Sequence, residues 1–309
     1  MYKRQAHTFD VRAIDNAGNT GDSAQHAWDL DTVAPTVSVD SGPADNPTNS
    51  QNADFTFSAS DAASGLSGTT CMLDTESGAS ACDQAAGSSY TSVAEGSRTY
   101  TVTATDDAGN SASATFTWYV DITDPSPSVD SGPSDPTNSN SATFTTSATD
   151  DYSLASKTCS LDGDSLNCGA TTDNLAAGSH TFQVLAIDSA GNSATASYTW
   201  FIDNTDPTVS IDANPSDPSN DANPAFTVTS ADEHSLASTT CDLDGSAVDC
   251  AGGAAVADGS HTFTATATDA AGNSASASYT WLVDITDPCL LYTSPSPRDL
   301  STYRMPSSA

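Results

Sequence analysis

The run GSHTFQVLAIDSAGNSATASYTWFID, from Gly178 to Asp203, decides how this chain is read. Alternate positions are apolar on both sides of Gly191-Asn192: Phe182, Val184 and Ala186 before it, and Ala194, Ala196, Tyr198, Trp200 and Ile202 after it. Period two about a tight turn predicts a β-hairpin with one buried face. Its centre, A-x-D-x-A-G-N at Ala186–Asn192, recurs at Ala13–Asn19, Ala104–Asn110 and Ala267–Asn273. Each copy leads to a tryptophan (Trp28, Trp118, Trp200, Trp281), a core residue by default, and then to an Asp-rich junction ending in proline (Pro35, Pro125, Pro207, Pro288). Tryptophans and prolines both step by 90, 82 and 81 residues. That period is too long for a solenoid and fits a whole small domain.

Working outward, each repeat opens with a short strand after the junction proline, followed by a Pro-, Asn- and Ser-rich loop. A second strand ends in Asp61, Asp150 or Asp232, and a Cys-containing hairpin comes next. With a short strand before Gly96, Gly178 or Gly259, the pattern predicts about seven strands per repeat, an immunoglobulin-like β-sandwich. The expected class is all-β, with tandem Ig-like sandwiches in an extended array. The expected boundaries are 34–124, 125–206 and 207–288, preceded at 6–33 by the C-terminal hairpin of a truncated repeat. Residues 1–5 and 289–309 resemble translated sequencing-adapter read-through and are set aside from the fold; a disordered tail is the alternative for the latter. On that reading the biological chain is a fragment from about Ala6 to Pro288, and its lack of a signal peptide carries no information.

Six cysteines form three pairs, Cys71 with Cys82, Cys159 with Cys168, and Cys241 with Cys250, while Cys289 falls in the set-aside tail. The last two pairs are symmetric about Gly163-Asp164 and Gly245-Ser246, which predicts type II′ turns with the cysteines directly opposed and disulfide-bonded. Half of a zinc site is the alternative, but no second Cys pair or suitably spaced His accompanies it within a repeat. Disulfides in every repeat imply an oxidising, extracellular compartment.

The net charge is -33, and of 40 acids only Glu76, Glu95 and Glu233 are not Asp. Nucleic-acid binding is excluded, because phosphate contacts need Lys and Arg. Asp suits tight turns and hard cations alike, and an acidic, Lys-poor surface also suits a salty environment. Catalysis finds no support: His7, His180 and His261 occupy one repeated strand position, predicting a packing or edge role, and no G-x-S-x-G accompanies them. With Lys157 the only lysine between residues 6 and 288, Lys-Asn crosslinks are not expected.

The series C-x-L-D-G-x-x-x-x-C, G-S-H-T-F-x-V-x-A-x-D-x-A-G-N and T-W-x-x-D-x-T-x-P resembles the bacterial Ig-like domains that occur in tandem in large secreted and cell-surface proteins, including adhesins. The resemblance implies a non-enzymatic stalk or adhesion segment, a monomeric array without membrane insertion, whose partner is a surface receptor or glycan. The sandwich topology brings Asp121, Asp124, Asp150, Asp188 and Asn192 to one junction, and Asp203, Asp206, Asp232, Asp269 and Asn273 to the next. Two readings stand for these acids: each closes its own turn, or together they bind Ca2+ and stiffen the array. The alternative function is a set of carbohydrate-binding modules on a secreted enzyme, for which Tyr90 and Tyr152 are the candidate exposed aromatics.

Overall fold

The computed structural model describes residues 5–288. Residues 1–4 and 289–309, set aside above, lie outside the described residues, while Gln5 opens the first strand. The chain is all-β, built from antiparallel sheets with the strand pattern of tandem Ig-like sandwiches. Among the described residues, no helix is long and apolar enough to cross a membrane. Packing groups the chain into two units: one comprises residues up to 132, 142–172 and 180–199, the other 133–141, 173–179 and 200 onward. Each is described by itself.

In the first unit, Thr36–Ser41, Ala53–Ser60 and Ser88–Tyr90 form one sheet. Ser80–Ala81, Leu66–Leu73, Gly96–Asp106 and Ser111–Val120, in that order, form the other. Alternation decides what they enclose: Phe55 and Phe57 from one sheet and Tyr100, Val102, Trp118 and Val120 from the other are at most 3% exposed. Phe55 stacks on Tyr100 with centroids 4.1 Å apart and lies 5.2 Å from Trp118. The same pair recurs as Phe144 on Phe182 at 3.9 Å and, in the second unit, as Phe226 on Phe263 at 3.8 Å. One stacked aromatic pair thus sits at the centre of each core, where it combines large area burial with ring–ring attraction.

The short strands vary where the long ones do not. In the middle repeat the second strand breaks at Phe144, between Ala142–Thr143 and Thr145–Thr149. In the third, the counterpart of Ser88–Tyr90 shrinks to an isolated bridge between Ala225 and Gly252. There Gly252 has φ +83°, and a Cβ would lie 2.4 Å from the Pro224 carbonyl oxygen, so only glycine fits.

Two expectations need correction. Trp118, Trp200 and Trp281 are 1% exposed, but Trp28 is 47% exposed; its hairpin, Gln5–Val11 with Ala24–Leu30, forms a sheet of two strands only. The Cys hairpins turn one residue earlier than the symmetry implied. Leu161 pairs with Asp164 and Leu243 with Ser246, so the turns are Asp162-Gly163 and Asp244-Gly245, with positive φ at both residues. Asp-Gly with two positive φ values is a type I′ turn, the form whose twist matches the strands. Cys159 therefore opposes Leu166, and Cys241 opposes Val248. The disulfides Cys159–Cys168 and Cys241–Cys250 run diagonally, with Cα atoms 5.2 and 5.1 Å apart. Cys71–Cys82 repeats the offset, since Cys71 pairs with Ser80.

Phe263→Ala should lower unfolding free energy by about 3–5 kcal/mol in urea denaturation, because a central ring is lost and a cavity remains. Replacing Cys241 and Cys250 with alanine should cost roughly 2–3 kcal/mol, the loop-closure value for so short a loop.

Candidate functional site

Each A-x-D-x-A-G-N turn is held by its own aspartate. Asp188 Oδ1 accepts the backbone N–H groups of Ala190, Gly191 and Asn192 at 2.7–2.9 Å, and its Oδ2 accepts Asn192 Nδ2 at 2.7 Å. Asp269 does the same with Gly272 and Asn273. The asparagine then reaches out of its turn. Asn192 Nδ2 also donates to the carbonyl of Asp121 at 3.0 Å, Asn273 Nδ2 to that of Asp203 at 2.8 Å, and Asn110 Nδ2 to that of Asp31 at 3.2 Å. One short side chain therefore ties the last hairpin of a repeat to the linker that precedes it.

The linker aspartate is shaped in the same way at each place. Asp31, Asp121 and Asp203 accept, through Oδ1, the N–H two residues on, at Val33, Thr123 and Thr205. They are 9%, 0% and 2% exposed, and Asp106, Asp188 and Asp269 are 1–2% exposed. Asp284, over which no described hairpin lies, is exposed. A third aspartate ends the second strand and caps its own loop: Asp61 Oδ1 accepts from Ala63, Ser64 and Gly65, Asp150 Oδ2 from Tyr152 and Ser153, and Asp232 Oδ2 from His234 and Ser235. Both the turn-closing geometry and the gathering of acids are present.

Carboxylate oxygens of Asp121, Asp150 and Asp188 lie within 4.8 Å of one another, as do those of Asp31, Asp61 and Asp106. Asp203 and Asp232 group instead with His234, while Glu95 and Asp151 form a further group with Asp121. Asp124 and Asp206 are exposed and belong to none of these groups. Asn192 and Asn273 present amide N–H groups to the linker, so they act first as clamps.

Two like charges this close repel by roughly 3–4 kcal/mol at an effective dielectric near 20, and the chain relieves this unevenly. The Asp61 carboxyl sits below its ordinary range, because the N–H groups of Gly65, Ser64 and Ala63 outweigh its burial; N–H groups of Ser235 and His234 do the same for Asp232. Asp121 is pushed up, by burial first and, against the Thr123 amide, by Asp188, Asp150 and Asp151. Its Oδ2 and Asp150 Oδ1 are buried without a hydrogen-bond partner among the described residues. A buried carboxylate oxygen left unpaired is costly, and a hard cation with oxygen ligands fits the set.

Sequence reading missed two features. The residue before Pro47, Pro136 and Pro218 caps the last strand of its repeat: Asn46, Asp135 and Asp217 accept the N–H groups of Tyr119, Phe201 and Leu282. The repeated histidines pair with the hairpin-turn aspartates, His180 Nδ1 to Asp162 Oδ2 and His261 Nδ1 to Asp244 Oδ2, both at 2.7 Å. Their shared L-D-G and G-S-H spacing was the available signal.

No family model matches this chain, and no curated protein matches it. Similar solved structures include a tetra-tandem repeat from the extending region of a large adhesion protein (24% identity, 92% of this chain and 83% of that one, TM-score 0.32). Another belongs to a 1.5-MDa bacterial ice-binding adhesin (18% identity, 82% and 98% covered, TM-score 0.39). A third comprises extracellular cadherin domains 3–6 of protocadherin gamma B2 (16% identity, 90% and 83% covered, TM-score 0.36).

The histidine pair sets a pH dependence. The Asp244 carboxylate and the Ala257 carbonyl raise the His261 imidazole above its ordinary 6.5. That contribution is full below about pH 6.5 and is lost as pH rises through the raised value. Asp244, held below its ordinary 3.8 by His261 and the Thr262 amide, contributes above 3.8 and is lost as pH falls through its lowered value. The third repeat should melt at lower temperature as pH rises from about 6 to 9, and His261→Gln should flatten that slope in calorimetry.

Proposed function

We propose that this chain is a non-enzymatic structural segment of an extracellular surface protein, a stalk or adhesion region whose folding units are residues 34–124, 125–206 and 207–288. The recurring asparagine clamp carries this reading. Asn110, Asn192 and Asn273 each hold the preceding linker by its aspartate carbonyl, which suits modules that transmit load in series. One disulfide per repeat suits an oxidising exterior, and the dense acidic surface suits solubility in salt.

Calcium at the junctions belongs to the same proposal. Asp121, Asp150 and Asp188 present closely spaced oxygens with unpaired buried atoms among them, and a cation there would convert repulsion into cross-bracing. At the following junction Asp203, Asp232 and Asp269 are the corresponding acids.

The carbohydrate-binding alternative loses one of its candidates. Tyr90 packs against the core beside Phe55 and Tyr100, and burial first, with Glu76 and Tyr100 nearby, pushes its hydroxyl up to about 12. Tyr152 lies on Tyr119 with centroids 4.0 Å apart.

Pulling the whole chain between its ends should give three similar unfolding events, each freeing a segment whose extended length is about 250 Å at roughly 3.4 Å per residue outside the disulfide loop. A single event would contradict the serial arrangement, and sustained specific capture on a glycan array would favour the binding-module alternative.

A further inference from the structure

The junctions share one backbone plan and differ in what faces Oδ2 of the linker aspartate. Asp31 Oδ2 accepts Ser64 Oγ at 2.6 Å. Asp203 Oδ2 faces His234 Nδ1 at 3.5 Å. Asp121 is 0% exposed, and its Oδ2 has no hydrogen-bond partner among the described residues; neither has the buried Oδ1 of Asp150.

Three short loops produce the difference. Asp61-Ala62-Ala63-Ser64-Gly65, Asp150-Asp151-Tyr152-Ser153 and Asp232-Glu233-His234-Ser235 lead to the strands that open at Leu66, Leu154 and Leu236, and the Gly65, Ser153 and Ser235 carbonyls accept the equivalent N–H groups of Asp107, Ser189 and Ala270. Ser153 stands where Gly65 does, and its hydroxyl is engaged by Ser189 Oγ at 3.0 Å; Asp107 and Ala270 hold the position of Ser189 in the other repeats. Tyr152 stands where Ser64 and His234 do, two residues before Leu154 as they are before Leu66 and Leu236, and lies on Tyr119. The middle loop thus supplies neither a hydroxyl nor an imidazole to Asp121, and its Asp151, where the third loop has Glu233, groups with Asp121 and Glu95.

Resting on the reading of calcium at the junctions, we propose that one junction alone holds it: a single hard divalent cation bound by Asp121, Asp150 and Asp188, with Ser64 and His234 serving in its place at the other two. The span fits, because oxygens on one calcium ion stand at most about 5 Å apart, twice the metal–oxygen distance, and these three lie within 4.8 Å. An all-oxygen set selects a hard ion. At the third junction Asp232 Oδ1 is also unpaired, but the Asp203 oxygen that would join it already faces the imidazole.

Calorimetric titration of the full chain with calcium chloride tests this, with terbium luminescence sensitised by Tyr119 and Tyr152 as a second readout. The expected result is one ion per chain, lost in Asp121→Asn and in Asp150→Asn and kept in Asp203→Asn, with far-UV circular dichroism verifying the fold of each variant. His234→Tyr should raise the count to two. Two or more ions in the unaltered chain, or loss of the ion in Asp203→Asn, would overturn the single-site assignment and leave the calcium reading standing. A count that stays at one in His234→Tyr would overturn the role given to the imidazole. Absence of binding would overturn both the assignment and the calcium reading.

Discussion

Everything at the junctions depends on one amide group. The Nδ2 of Asn110, Asn192 or Asn273 is shared between the aspartate of its own turn and the carbonyl of the preceding linker aspartate. The first bond fixes the asparagine in place; the second uses that fixed donor to hold a neighbouring segment. A charge-assisted bond to a carboxylate is stronger than a neutral one, so the turn gives the clamp a rigid base. The sandwich contributes the rest by delivering the last hairpin and the end of the second strand to the same edge.

Much of the fold was legible in the residues. Period-two alternation from Phe182 to Ile202 placed the long strands, because a buried face cannot slip by one residue without exposing its aromatics. Strand order also brings Asp121, Asp150 and Asp188 together, whereas Asp124 and Asp206 are exposed and join no group, and Asp203 and Asp232 group with His234 rather than Asp269. What could not be read was pairing at finer scale. The Cys hairpins looked symmetric about Gly163-Asp164, yet Asp162-Gly163 forms the turn, because Asp-Gly accepts two positive φ values and closes a type I′ geometry. A one-residue shift of that kind leaves the alternation intact and changes only which side chains face each other.

The repeats also show how one plan tolerates different chemistry. Each linker aspartate must be buried for the asparagine to reach its carbonyl, and burial leaves a carboxylate oxygen that needs a partner. Ser64 and His234 answer that need at two junctions, and among the described residues Asp121 Oδ2 has no such partner, which is the place given to the proposed cation. Such variation was invisible in the motif itself, because A-x-D-x-A-G-N is common to all copies and the distinguishing residues lie in the loops after Asp61, Asp150 and Asp232. Loops vary where strands cannot.

The clamp can be measured inside one molecule. Hydrogen exchange of the asparagine side-chain amides, followed by NMR on the whole chain, compares Asn110, Asn192 and Asn273 with Asn19, whose turn is exposed and whose Nδ2 donates to Asp15 Oδ2. The account predicts slow exchange at the three half-buried asparagines and fast exchange at Asn19. Equal, fast exchange at all four would contradict it.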